Sequence, residues 1–300
     1  MNVDHLKLFV RLAATNNISL AGKELGLSPA VSSSYINKLE ESVGVRLVHR
    51  TTRKVSLSLE GVAFLPHAED VLASIEAACA SVGAHATNPR GTLRIAAPAS
   101  FGRMHLVPAL TEFMVAYPDL SLDLRLCDTI MDLVEGGYDV AIRNAELKDS
   151  TLIAKRLASD TRIVCASPSY IKKYGMPSTP GDLLTHQCLE LAGMEHWSFE
   201  VDGDRTDLKV RGGLKMDNGE ALRDACINGL GITVSSLWCV YEQIRNGQLI
   251  QLLPDYPIKS DTSIWAVYPS SRQLAPKVRA FIDFFADRFE GKPYWEYLGK

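Results

Sequence analysis

The sequence predicts an α+β chain built from a small helical head and a larger α/β body, and three observations carry that reading. Charge divides unevenly, with eight Lys/Arg against five Asp/Glu in residues 1–60 and 24 against 30 in residues 61–300. Short amphipathic helices dominate the head, and strands alternate with helices beyond residue 90. A length of 300 residues, 46% hydrophobic and 22% charged, suits about two ordinary folded domains and excludes a disordered or collagen-like chain. No stretch approaches the roughly 18 apolar residues of a membrane span.

In the head, Leu6, Phe9, Val10 and Ala13 recur at helical spacing until Asn16 and Asn17, which favour turns. Ser19 is expected to cap a second helix, Ala21, Gly22 and Leu25 give it a small face for close approach, and Gly26 stops it. Ser28 and Pro29 restart a helix with a serine N-cap and a proline where its missing N–H costs nothing. Ile36, Leu39 and Val43 share its inner face, which leaves Ser28, Pro29, Ala30, Ser33, Ser34, Tyr35, Asn37 and Lys38 to solvent or a partner. Two short helices around a glycine turn place a reading helix in the DNA major groove.

Residues 45–57 alternate like a short hairpin, and Arg50, Thr51, Thr52, Arg53 and Lys54 form a cationic wing suited to phosphates. Solvated surface charge is the alternative. From Ser58 the chain is helical again, and Leu65, Ala68, Leu72, Ile75, Cys79 and Val82 repeat as a heptad seam that can pair two heads in a dimer. A helix lying on its own domain has the same pattern, and Pro66 would bend either version.

Polar, turn-rich residues 87–91 mark a boundary. We divide the chain into a head over 1–58, a linker helix over 59–88 and a body over 89–300. In the body, strands are expected at 92–97, 120–126 and 139–143, with helices at 105–117 and 130–135. A second series has strands at 161–166 and 231–235 and a helix at 218–228; a strand at 263–268 and a helix at 276–289 finish the chain. The alternation indicates α/β units on a mostly parallel sheet.

Ligands of such folds lie beyond the carboxyl ends of strands, near helix N-termini. Ala99, Ser100 and Phe101 follow the first strand, Thr129 follows the next, and Asn218 opens a helix; simple helix capping is the alternative for these positions. Trp197 either covers an apolar part of a ligand or packs in a core. Arg143 either meets a ligand carboxylate or pairs with Asp139, the internal role being favoured, and His105 reads as a packed histidine.

There is no GxSxG elbow, phosphate loop or HExxH, and Gly229-Leu230-Gly231 lacks the rest of a dinucleotide fingerprint. No catalytic residue, cofactor or metal ligand is assigned, and an α/β enzyme would rest on fold class alone. Six cysteines (79, 127, 165, 188, 226 and 239) without a CxxC read as buried thiols. A thiol-based redox sensor is the alternative, through Cys188 or Cys226 or a cross-link at Cys79. Asp4, Lys7 and Arg11 break up the first twenty residues, unlike a secretory leader, so a cytoplasmic protein is expected.

Taken together, LSPAVSSSYINKLEESVGVRLVHRTTRKVSLSLEG at 27–61 resembles the winged helix-turn-helix signature of LysR-type transcriptional regulators. RGTLRIAAPASFG at 90–102, YDVAIRN at 138–144 and NGLGITVSSLWCV at 228–240 are similar to landmarks of that family's effector-binding domain. The resemblance implies a homodimer or homotetramer on a promoter operator in double-stranded DNA. Its DNA contacts would change when a small-molecule effector, an organic acid or aromatic metabolite, binds the body. RNA polymerase would be a partner of an activator, and no membrane is involved.

It also implies two lobes like those of a periplasmic solute-binding protein, the chain crossing near residue 161 and returning near 265. Lobe I would take about 89–160 and 266–300, and lobe II about 161–265, with the segments at Ser100, Thr129 and Asn218 lining the cleft. Members commonly carry Arg or Lys, then Gln or Arg, where this chain has Ser34 and Tyr35. The family's usual base contacts are therefore not expected at Ser34 and Tyr35, and the operator is expected to be unusual. Members also commonly have an apolar residue at Ser32 and Phe at Val48, the latter a tolerated core change.

Overall fold

The computed structural model describes residues 1–50, 55–81, 89–129, 133, 136–146, 152–269 and 275–297. It divides into two compact units, Met1–Thr87 with Ser271–Pro276, and Asn88–Ser270 with Lys277–Lys300.

The first unit opens with α1 (Val3–Thr15), capped by the Asn2 side chain and ended by Asn16 in the left-handed conformation at φ 49°. Asn17, rather than Ser19, caps α2 (Ile18–Glu24) by accepting from the Leu20 N–H at 3.0 Å. Adjacent asparagines thus end one helix and start the next, and Ser19 falls exposed in the first turn. Ser28 caps α3 (Pro29–Val43), and Gly44 ends it at φ 82°. The inner face of α1 is Leu6, Leu8, Phe9 and Leu12; Val10 and Ala13 are half-buried, so the buried stripe is displaced from the expected one.

Gly22 and Ser32 mark the crossing of α2 and α3. A Cβ at Gly22 would collide with the Ser32 hydroxyl, which is buried and donates to the Ser28 carbonyl at 2.9 Å. A small residue and a short, satisfied polar one therefore let the two helices approach. Leu25 is exposed and takes no part in this contact. After α3, β1 (Val48–Arg50) and β2 (Val55–Leu57) pair antiparallel as the wing. Glu40 braces its base by accepting from the backbone N–H groups of Leu47 and Val48 at 2.8 and 3.0 Å.

Ser58 opens α4 (Leu59–Ser81) by accepting from the Gly61 N–H at 2.9 Å, and the helix runs through Pro66. The expected seam is corrected at its start. Leu65, Ala68 and Leu72 pack on the head's own core beside Phe9 and Phe64, whose rings are 5.6 Å apart. Ile75 is half-buried. The side chain of Cys79 and all of Val82 lie outside the described residues.

The second unit has two sheets. The first takes β3 (Gly91–Ala97), then the short α5 (Ala99–Phe101), a π-helical turn over Gly102–Leu106, α6 (Val107–Ala116) and β4 (Leu120–Leu126). β5 (Val140–Ala145) and β6 (Leu152–Ser159) follow, and the expected helix over 130–135 lies outside the described residues apart from Leu133. The second sheet starts with β7 (Arg162–Ala166), α7 (Pro168–Tyr174), a 3-10 segment at Pro180–Thr185, β8 (Cys188–Leu191) and the hairpin β9 (His196–Val201) and β10 (Asp204–Lys209). It continues with β11 (Leu214–Met216), α8 (Gly219–Ile227), β12 (Ile232–Ser236), α9 (Leu237–Arg245) and β13 (Ile250–Leu252). The chain then returns as β14 (Ser263–Pro269) and α10 (Pro276–Arg288).

Strand order is β4-β3-β5-β14-β6 in the first sheet and β11-β8-β12-β7-β13 in the second. Each sheet is mostly parallel, as expected: four of its five strands run in one sense, and one, β14 in the first sheet and β7 in the second, runs against them. β3 runs parallel to β4 and β5, but β14 is antiparallel to both β5 and β6, as β12 and β13 are to β7. The opposed strand of each sheet is the one by which the chain enters that lobe from the other, β7 after residues 160–161 and β14 at Ser263. A strand arriving from the other lobe needs no helical crossover and can enter in the opposite sense. Phe113 of α6 packs on Phe281 of α10 at 5.8 Å in lobe I, while Trp197, Phe199, Tyr170 and Val234 anchor the core of lobe II.

Candidate functional site

On the head, α3 presents Ser28, Pro29, Ala30, Asn37 and Lys38 exposed and Ser33 and Ser34 half-buried. Tyr35 is divided in its duties. Its ring lies 4.5 Å from that of His5 and packs on the head's core, so this side chain also fixes α3 against α1. Arg50 sits in β1 with its side chain outside the described residues, as are Thr51, Thr52, Arg53 and Lys54.

In the body, a cavity of about 360 Å³ lies beyond the carboxyl ends of β3, β4 and β5, and strand β12 and helices α8 and α9 of lobe II close it. Its size suits a small molecule. Ser100 and Thr129 are on its wall, with Ala96, Ala97, Ile142, Leu191 and Val234 supplying apolar surface.

The other expected contacts are placed elsewhere. Ala99 and Asn218 are not part of the wall; Asn218 caps α8 through the Ala221 N–H and donates to Asp128 at 2.7 Å. Phe101 is buried among the rings of His105, Trp238, Phe289 and Trp295. Trp197 is 2% exposed within the lobe II core, because β9 pairs with β10 and turns the indole onto Phe199 and Val210 rather than to the cavity. The favoured Arg143–Asp139 pair does not form. Asp139 is held by the Arg94 N–H at 2.9 Å and by Lys277 at 2.6 Å.

The rim joins the two lobes through polar contacts. The Ser100 hydroxyl accepts from the Glu220 N–H at 3.2 Å, and Asp128 accepts from the Ala99 N–H at 2.9 Å on one oxygen and from Asn218 on the other. The free N–H groups at the start of α8 are thus partly occupied by the protein, and Ser100 keeps its hydroxyl proton to donate. Arg103 reaches from lobe I to Glu220 at 2.9 Å. Burial pushes the Glu220 carboxyl up, but Arg103 and Arg223 outweigh it and hold it below the ordinary value.

Two wall arginines are neutralised internally. Arg162 donates to Asp160 at 3.0 Å, and Arg223 lies 2.9 Å from Asp224 and 3.4 Å from Glu220. Asp160, whose side chain is fully buried at the crossing between lobes, also accepts from Thr262 at 2.8 Å. Asn144, with its amide nitrogen toward Asp160 at 3.0 Å and its oxygen toward the Trp238 indole N–H at 3.3 Å, ties β5 to α9. The links of Asp160 to Thr262 and of Asn144 to Asp160 and Trp238 had no local signal, since those partners are distant in sequence.

Among the described residues no group of three or more His, Cys, Asp or Glu is placed to hold a metal, and no helix is long and apolar enough to cross a membrane. Cys165, Cys188, Cys226 and Cys239 are buried free thiols and Cys127 is exposed. Burial pushes the thiols of Cys188 and Cys239 up to about 12, which disfavours the reactive thiolate.

Comparison with known proteins gives two family matches. Residues 3–62 match the bacterial regulatory helix-turn-helix protein of the lysR family, and residues 86–290 match the LysR substrate binding domain. The chain is 34% identical to the HTH-type transcriptional regulator DmlR of Escherichia coli, over 96% of this chain and 94% of that one. It is 33% identical to the HTH-type transcriptional activator TtdR of the same organism, over 94% and 91%. The solved structure of CrgA, a LysR-type transcriptional regulator from Neisseria meningitidis, superposes with a TM-score of 0.63 at 30% identity, covering 97% of this chain and all of that one.

Proposed function

Since the chain belongs to the LysR family and is a DNA-binding transcriptional regulator with an effector-binding body, we propose that α3 reads the operator and the cavity of about 360 Å³ holds the effector. The observation that carries the reading is the pairing of a capped helix exposing Ser28, Ala30, Asn37 and Lys38 with a mostly apolar cavity whose polar rim joins both lobes. Base contacts fall to α3, and phosphate contacts to Arg50, Arg53 and Lys54. Ser100 and Thr129 face the effector. Occupancy changes the lobe contacts at Glu220 and Asp128, and with them the spacing of paired heads.

The protein acts in the cytoplasm as a homodimer or homotetramer, and RNA polymerase is its further partner if it activates. It carries out no catalysis. A second copy is expected over the face of α4 turned away from Leu65, Ala68 and Leu72, which serve the head's own core. The buried thiols favour ligand sensing over redox sensing.

The test is binding of the purified chain to its own upstream intergenic DNA, across a salt series, against unrelated DNA of equal length. Preferential, salt-sensitive binding is expected. Arg53→Ala should weaken binding to every sequence and reduce the salt slope by about one. An unchanged slope would remove the wing from the phosphate contacts.

A further inference from the structure

Among the described residues, Arg143 is the cation on the cavity wall without a counter-charge. It lies half-buried at the carboxyl end of β5, and no hydrogen bond or ion pair of its guanidinium is found among the described residues. The other two wall arginines differ from it. Arg162 is matched by Asp160, and Arg223 by Glu220 and Asp224. Of the acids nearest in sequence, Glu146 is exposed and makes no ion pair with Arg143, and Asp139 is already matched by Lys277. On the acidic side, Asp128 is held by Ala99 and Asn218, while Asp217 is exposed, so water rather than a ligand meets its charge.

A guanidinium partly withdrawn from water and left without an acid is costly, and a bound anion removes that cost. We propose that the effector is a small organic carboxylate whose acid group pairs with Arg143, a claim that rests on the cavity being the effector site. The guanidinium offers two parallel N–H donors that match the two oxygens of a carboxylate. Alanines 96, 97 and 141 with Ile142, Leu191 and Val234 line the remaining space, so the acid sits on an apolar or weakly polar carbon skeleton. Inorganic phosphate fits less well, because a more highly charged, skeleton-free ion would leave the apolar wall unused.

The experiment uses the full-length protein with benzoate, phthalate, succinate and malonate, their matched amides, and inorganic phosphate. Binding is read by calorimetry and by the shift in melting temperature. At least one acid is expected to bind and raise the melting temperature, its amide to bind at least tenfold more weakly, and phosphate not to bind. Arg143→Gln should lose at least tenfold in affinity for that acid while its unliganded melting temperature does not fall, since among the described residues the guanidinium has no partner to lose. If the glutamine variant does not fold, Arg143→Lys keeps the charge, loses the paired donors and should show a smaller loss.

No binding by any of the four acids, equal binding of the amides, binding of phosphate alone, or full affinity in the Arg143 variants would each overturn the proposal. Binding to the upstream DNA is measured on the same samples. Its loss in wild-type protein would count against the regulator reading, whereas intact DNA binding without acid binding would count against the carboxylate alone.

Discussion

The Ser100 hydroxyl of lobe I accepts a hydrogen bond from the Glu220 backbone N–H of lobe II at 3.2 Å, across the rim of the ligand cavity. Ser100 is 3% exposed, so the N–H it satisfies has little access to water. Ser100→Ala should therefore destabilise the body by about 1 kcal/mol. It should also weaken the dependence of DNA binding on effector, because the contact belongs to one arrangement of the lobes. Urea unfolding and operator titration with and without effector measure the two effects. An alanine variant with unchanged stability and full effector response would show that the contact is incidental.

Gly61 lies against the wing. A Cβ there would come up against the Leu47 carbonyl oxygen, a backbone atom that cannot swing aside. The same Leu47 backbone is fixed on its other side by Glu40, so little relaxation is available. Gly61→Ala is expected to cost the head about 1–3 kcal/mol and to reduce DNA affinity by displacing the wing from α3. Thermal unfolding of the variant, followed by operator binding below its transition, separates lost stability from a misplaced wing. A variant as stable as wild type would mean that α4 shifts without penalty.

Thiol labelling tests the redox alternative. Cys127 is exposed, whereas Cys165, Cys188, Cys226 and Cys239 are buried. The hydrogen bond with Cys226, together with burial, pushes the Cys165 thiol up, and burial does the same for Cys188 and Cys239. Among these five, iodoacetamide should modify Cys127 first and the other four only as the body unfolds. Peptide mass spectrometry after timed labelling reads the order. Labelling of Cys188 or Cys226 as fast as Cys127 would restore a thiol trigger.

Legibility in the sequence followed the range of the interactions. Ser28 before Pro29, the asparagine pair at 16–17 and the alternation of strand and helix are local signals, and each yields the element it announces, with the cap moved from Ser19 to Asn17. Periodicity revealed that α4 is amphipathic, but not which surface it serves; Phe9 and Phe64 decide that Leu65, Ala68 and Leu72 turn inward to the head. The sense of β14 depends on where a strand re-enters a sheet, which no window of residues contains. The role of Arg143 turned on Lys277, 138 residues beyond Asp139 and already paired with it. Trp197 takes the core alternative for the same reason, since its burial follows from the β9–β10 hairpin and the lobe II core.

His105 gives the body a built-in sensitivity to acid. Its Nε2–H donates to the Trp238 carbonyl at 3.1 Å, which leaves Nδ1 to accept from the Tyr294 hydroxyl, so the neutral ring satisfies both partners. The rings of Phe101, Trp238 and Trp295 surround it. Burial lowers its pKa to about 4, against smaller opposing effects from the Trp238 hydrogen bond and the Glu220 charge. In the unfolded chain the same histidine titrates near 6.5. Between those values the unfolded state binds the extra proton, so the contribution is fully present at pH 7 and is lost as pH falls toward 4. The whole difference is about 3 kcal/mol, of which about 2 kcal/mol is gone by pH 5. Urea unfolding followed by tryptophan fluorescence, in wild type and His105→Gln between pH 7.5 and 4.5, isolates this part from other titrating groups. The glutamine variant should start less stable at neutral pH but lose stability less steeply on acidification, and parallel curves would show that His105 carries none of the acid sensitivity.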